Sequence, residues 1–398
     1  MLTRREFLFT TAAGVAASRA QADPFAADAF AADPDLLIAR GRVIDPSQRI
    51  DCVADVAVRG GRIVAVKTNI AVSGSVETID ASGKLVVPGL IDIHMHAADP
   101  ALTPARCLRT GVTTLVDGGS RGADNIEDLV GIAGSAPNRV RVLLNLARRG
   151  NDPAGELLNL DNADVGAARR AIERHRDLVV GVKARMSRNL AGDHDLEAVR
   201  RARDVAAPFG LPVMLHVGDS VSPLPAIVAL LKRGDIVTHV YASPPHGILD
   251  DRGVVLPEIR EARRRGVLFD VGYGRTGHIT WAVAQRALEQ DFLPDTISTD
   301  LTAAGLTDRV FDFPTVLSNF LVLGLTLEQV IARATINAAR AIKPFNQLGT
   351  LKVGAPADVT VLELREGDFD FVDNDNTKRT GRQKLVPYAV VAGGKRFR

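Results

Sequence analysis

The stretch Pro88-Gly89-Leu90-Ile91-Asp92-Ile93-His94-Met95-His96 decides how this 398-residue chain is read. A short apolar run ends in two histidines placed two residues apart. Side chains alternate faces along a β-strand, so His94 and His96 share one face and can address a single cation. Working outward, similar runs recur at 112–117, 140–145, 178–183, 212–217, 236–240, 267–271 and 296–300. Amphipathic or Ala/Arg-rich stretches lie between them, at 195–209, 254–265 and 279–290. Eight strands, each followed by a helical stretch across residues 89–345, predict an α/β fold: a (β/α)8 TIM-type barrel.

The strand ends carry the chemistry. His216 closes PVMLH, His239 closes IVTH, Asp300 closes TISTD, and Lys183 closes LVVGVK. With His94 and His96, that puts six candidate metal ligands on five strands, at the end where barrel active sites lie. Core packing explains such a set poorly, because buried His, Asp and Lys all need partners. Lys183 is the one lysine between Lys84 and Lys232 in a chain that otherwise prefers arginine. Burial favours its neutral amine, which can add CO2 to become a carbamate, a carboxylate-like group able to bridge two cations. Arg185, two residues on, would share its face and offer a guanidinium, a group suited to bidentate binding of an anion in a substrate. Gly272, Tyr273, Gly274 and His278, after the seventh strand, are further substrate-binding candidates, the glycines because they let backbone donors approach a ligand.

Both ends of the chain differ from the middle. Residues 36–88 and 346–398 read as short strands broken by turn residues, with Gly60-Gly61 and Gly393-Gly394 as hairpin turns. They predict one small composite β-sandwich built from the two termini. Residues 1–22 read as a twin-arginine export signal: Arg4-Arg5, an apolar stretch, and a small-x-small site ending at Ala22. That stretch is too short to span a membrane. Residues 23–35 read as an Ala/Asp/Pro-rich linker. The expected location is the periplasm or the exterior, reached in the folded state.

Composition limits the alternatives. With 46% hydrophobic and 24% charged residues, the chain is an ordinary globular protein rather than a disordered one. Lys+Arg 49 against Asp+Glu 47 leaves no electrostatic footprint for nucleic acid or anionic lipid. Two cysteines, Cys52 and Cys107, are no disulfide framework, and their spacing leaves pairing open.

PGLIDIHMH, GVTTLVDGGS, the strand-end Lys and His residues, STD, and the tail INAARAI…LGTLKVGAPADVTVLE together resemble the amidohydrolase superfamily. More narrowly, everything after residue 35 resembles its dihydroorotase-like amidohydrolase/deacetylase group. The resemblance implies two divalent metal ions, zinc by expectation. His94, His96, Lys183 and Asp300 would hold the more buried ion, and carbamylated Lys183 would bridge to a second held by His216 and His239. It also implies attack by a metal-bridging hydroxide, with Asp300 as general base and then acid. The expected substrate is a small carboxylate, an acylated amino or hydroxy acid cleaved at its amide or ester bond. A cyclic-amide hydrolase of dihydroorotase or hydantoinase type is the alternative, and a catalytically silent binding relative a third reading. A homo-oligomer fits the resemblance. The chain departs from the group at Tyr273 and Thr302, where histidines are expected.

Overall fold

The computed structural model describes residues 33–398 apart from Pro153, Ala154, Pro244, His246 and Arg398. The expected export signal and most of the expected linker therefore lie outside the described residues.

The N-terminal stretch forms β1 (Leu36–Asp45), β2 (Ile50–Arg59), β3 (Arg62–Lys67), β4 (Glu77–Asp80) and β5 (Leu85–Pro88). The barrel contributes β6 (Leu90–Met95), β7 (Val112–Asp117), β8 (Arg139–Asn145), β9 (Val179–Arg185), β10 (Val213–His216), β11 (Ile236–Thr238) and β12 (Leu268–Phe269). The C-terminal stretch adds β13 (Val359–Val372), β14 (Lys378–Ala392) and β15 (Lys395–Phe397). The terminal strands join in a single hydrogen-bonded sheet, ordered β15-β14-β13-β5-β1-β2-β3, with β4 also on β1. Residues from the two chain ends thus meet where β13 pairs antiparallel with β5. Gly60-Gly61 and Gly393-Gly394 make the expected turns, all four at positive φ, as the tightest hairpins require.

β6 to β12 run parallel in chain order. The eighth expected strand does not form a regular ladder. Residues 296–301 are held instead by isolated bridges, Asp270 to Thr296 and Met95 to Leu301. Backbone bonds still flank them on both sides: Asp300 N donates to His94 O, and Tyr273 N donates to Ser298 O. Asp300 sits at φ 48°, which breaks strand geometry at the residue that must turn into the barrel mouth.

The barrel interior is filled by Ile91, Ile93, Val116, Leu143, Val180, Met214 and Ile236, and residues 338–348 plug its lower end with Ala338, Ile342 and Phe345. The layer outside the strands is larger and buries the apolar faces of the surrounding helices, as in the helix Asp195–Ala206 with Val199, Ala202 and Val205 at 0% exposure. Cys52 on β2 and Cys107 in the helix Pro104–Arg109 are both free thiols. Among the described residues no helix is long and apolar enough to cross a membrane.

Candidate metal centre

The six strand-end side chains converge. Asp300 Oδ1 lies 3.2 Å from His94 Nε2 and 3.0 Å from His96 Nε2. Lys183 Nζ, on a residue with 0% exposure, is 2.7 Å from His94 Nε2. His239 Nε2 lies 2.8 Å from His216 Nδ1. His94, His239 and Asp300 form one group that could hold an ion, and His216, His239 and His278 form another.

Hydrogen bonds behind the rings decide what these atoms offer. His94 Nδ1 is 3.0 Å from Thr238 Oγ1, whose hydroxyl donates to Asp270 Oδ2. Thr238 has given its proton away, so His94 Nδ1–H must be the donor to it, and Nε2 keeps a lone pair. His96 repeats the device: Nδ1 is 2.8 Å from Ser120 Oγ, which donates to Asp117 Oδ2. His239 Nδ1 donates to the carbonyl of Gly272 at 2.7 Å. The Nε2 lone pairs of His94 and His96 therefore face the Asp300 carboxylate across about 3 Å, an arrangement that repels unless a positive charge lies among them. Such hydroxyl and carbonyl partners are the usual means of orienting ligand imidazoles. The donor set, imidazole nitrogen with carboxylate oxygen, suits a divalent transition ion.

Electrostatics agrees. Burial, then the charge of Lys183, holds His94 well below the ordinary histidine value. Burial and the nearby His278 do the same to His216 and His239. All three are thus neutral, the form that ligates. Burial pushes the Lys183 ammonium down to about 7. Burial alone would raise Asp300, but the histidines around it, His94 first, outweigh it and hold the carboxyl well below the usual range. His239 and Asp300 both adopt positive φ, at 66° and 48°. Such strain costs on the order of 1–3 kcal/mol per residue and clusters at working sites.

The substrate-binding expectations fare unevenly. His278 is in the site: its Nδ1 lies 3.0 Å from Asp300 Oδ2, and its ring stacks on His239 at 3.9 Å. Together with His216 and Arg185 it lines a cavity of about 380 Å³ walled by Ser187, Asn189 and Thr276. Arg185 is not the free fork expected. Its Nε and Nη2 both engage Glu156 Oε1, Nε at 2.8 Å, on a carboxylate buried at 1% exposure. Tyr273 is a correction. Its ring is fully buried and its hydroxyl donates away from the site, to Asn319 and to the Val372 carbonyl.

Gly272 and Gly274 also act otherwise than expected. Their amides donate to Ser298 Oγ and the Thr299 carbonyl, so neither is left for a substrate. What they supply is room. A Cβ at Gly274 would stand 1.9 Å from His278 Nδ1 and 2.8 Å from Asp300 Oδ2, and one at Gly272 2.8 Å from His239 Nδ1. Sequence reading missed Asp117, Ser120, Thr238, Asp270 and Glu156. Asp117 and Asp270 do fall at or near strand ends, and that position was the available clue.

Fold and site together define a class: a barrel hydrolase with a His/Asp group able to hold a metal ion at the strands' C-terminal ends. Residues 85–396 match the amidohydrolase family, and the chain belongs to it, as a hydrolase acting on C–N bonds. It is similar to a deacetylase of Enterococcus faecalis, 30% identical over 371 residues that cover 91% of this chain and 98% of the relative. Its fold is similar to the crystal structure of an adenine deaminase, at TM-score 0.84 and 28% identity, covering 92% of this chain and 100% of that one. It is also similar to a dihydroorotase structure, at TM-score 0.83 and 26% identity over 91% of this chain and 98% of that one.

Proposed function

We propose that this protein is a zinc-dependent hydrolase that cleaves the amide or ester bond of small acylated amino or hydroxy acids. The observation that carries the reading is the set of lone pairs held on Asp300 by the Thr238–Asp270 and Ser120–Asp117 relays. In the proposed assignment His94, His96, Asp300 and carbamylated Lys183 hold one ion, and His216 and His239 a second. Bound divalent cations would supply Lewis acidity, making a water acidic enough to attack and a carbonyl electrophilic enough to be attacked.

The chain's own residues do the rest. Asp300 takes the proton from the attacking water and passes it to the leaving nitrogen or oxygen. His278, against its second oxygen, keeps that carboxylate aimed. Arg185 holds Glu156 through Nε and Nη2, which leaves Nη1 for one oxygen of a substrate carboxylate. Among the described residues that line the cavity, Ser187, Asn189 and Thr276 offer polar side chains and there is no Phe, Tyr or Trp, which suits a small polar acid. Similarity to a deacetylase over nearly all of that protein's length supports the same choice. Residues 1–22 are proposed to direct export to the periplasm, tested by replacing Arg4-Arg5 with lysines and following the location of the full chain.

The test is a panel of N-acetyl amino acids, O-acetyl hydroxy acids, dihydroorotate, hydantoins and adenine, run on purified protein of measured metal content. We expect about two zinc ions per chain, turnover of the open-chain acyl acids, and loss of both on chelation. Full activity after metal removal overturns the mechanism. Turnover of rings alone establishes the cyclic-amide reading, which the dihydroorotase fold favours, and turnover of adenine alone overturns both.

A further inference from the structure

We infer that Asn374, at the tip of the C-terminal hairpin, is a positioning residue that fixes His278 against Asp300. The inference rests on the reading that His278 works beside Asp300.

The hairpin is longer than the terminal sheet needs. β13 and β14 span 14 and 15 residues, yet β13 pairs with β5 only through Val359–Leu362. The far half leaves the sheet and reaches the barrel mouth. There the Asn374 side chain, on a residue at 9% exposure, closes the loop 274–278 from behind. Its Oδ1 accepts from His278 N at 2.9 Å and Ile279 N at 3.3 Å, and its Nδ2 donates to Gly274 O at 3.3 Å. One amide thus ties both ends of a five-residue loop whose middle residues are exposed, and whose last residue is the histidine that meets Asp300.

Neighbouring bonds make the tip a rigid base. Asp373 Oδ1 accepts from Asp375 N and Thr377 N, while its Oδ2 accepts from Trp281 N at 2.9 Å. Asn374 N donates to Ile279 O. Asn376 contacts Arg309 on the outer side and does not touch the loop, so it serves as a control position.

The side chain must both accept and donate, which makes the isosteric change informative. Asn374→Asp keeps shape but sets an oxygen against the Gly274 carbonyl, and Asn374→Ser removes the bridge without a charge. In the full chain both should lower kcat by about tenfold to a hundredfold, the scale of a 1 Å misplacement. Metal content and KM should stay near wild type, and Asn376→Ala should leave kcat unchanged. Placed on His278→Ala, the same changes should cost less than about twofold, because their route is already gone. Equal losses in both backgrounds, or none in either, overturn the inference. A crystal structure of Asn374→Asp gives a readout independent of any substrate. It should show His278 Nδ1 out of hydrogen-bond reach of Asp300, and an unmoved ring overturns the claim even if the proposed reaction proves wrong.

Discussion

Replacing Lys183 with methionine, which is close in size and uncharged, tests the electrostatics of the centre directly. Burial lowers the amine from 10.5 to about 7. At about 1.4 kcal/mol per tenfold change in proton affinity, that is a penalty of roughly 5 kcal/mol for folding with a protonated lysine. Between pH 7 and 10.5 the unfolded chain binds more protons here than the folded one, so stability rises with pH across that window. Below pH 7 both states are protonated and the whole penalty is present. From pH 6 to pH 8.5 the relief amounts to roughly 2 kcal/mol. Metal-stripped, CO2-free wild type should therefore unfold in less urea than Lys183→Met at pH 6, and the gap should narrow by that amount at pH 8.5. With zinc and bicarbonate restored, the order should reverse, because only the wild type can form the carbamate and so gains the larger binding energy. Wild type at least as stable as the variant at pH 6 when stripped, or a gap that ignores pH, would refute the reasoning.

Other outcomes follow from the same geometry. Ser120→Ala and Thr238→Val should each weaken zinc affinity about tenfold to a hundredfold, measured by competition with a chelating dye, since the ligand rings lose their orienting partner. Tyr273→Phe should cost about 1 kcal/mol of stability through its lost hydroxyl bonds while kcat stays near wild type; a large loss of kcat would return Tyr273 to the site. Arg185→Met should raise KM for carboxylate substrates more than it lowers kcat, and should also destabilise the fold by leaving Glu156 buried without its cation. Burial pushes the Cys107 thiol up to about 12, so a thiol reagent at pH 8 should label Cys52 first and leave Cys107 unmodified until the protein unfolds.

The barrel and the convergence of its strand-end side chains were legible because both are written in local patterns. Apolar runs ending in His, Lys or Asp mark strand ends, and period-two alternation puts His94 and His96 on one face whatever surrounds them. The eighth expected strand, TISTD, takes its place between β12 and β6, though through isolated bridges rather than a regular ladder, and its backbone turns at Asp300. Tyr273 and Gly272 were misassigned because position in a mouth loop does not tell which way a side chain or amide points. Glu156 beside Arg185, and Asn374 behind His278, lie 29 and 96 residues away from their partners.

The sequence by itself determined which strand-end residues are candidates to hold a cation and the order in which strands deliver them. The tertiary structure decided the rest: which ring nitrogen of each histidine is free, which guanidinium is already neutralised, and which distant hairpin closes the mouth. Strand alternation is a local property of the backbone. Tautomer, charge balance and loop anchoring depend on partners that only folding brings within about 3 Å.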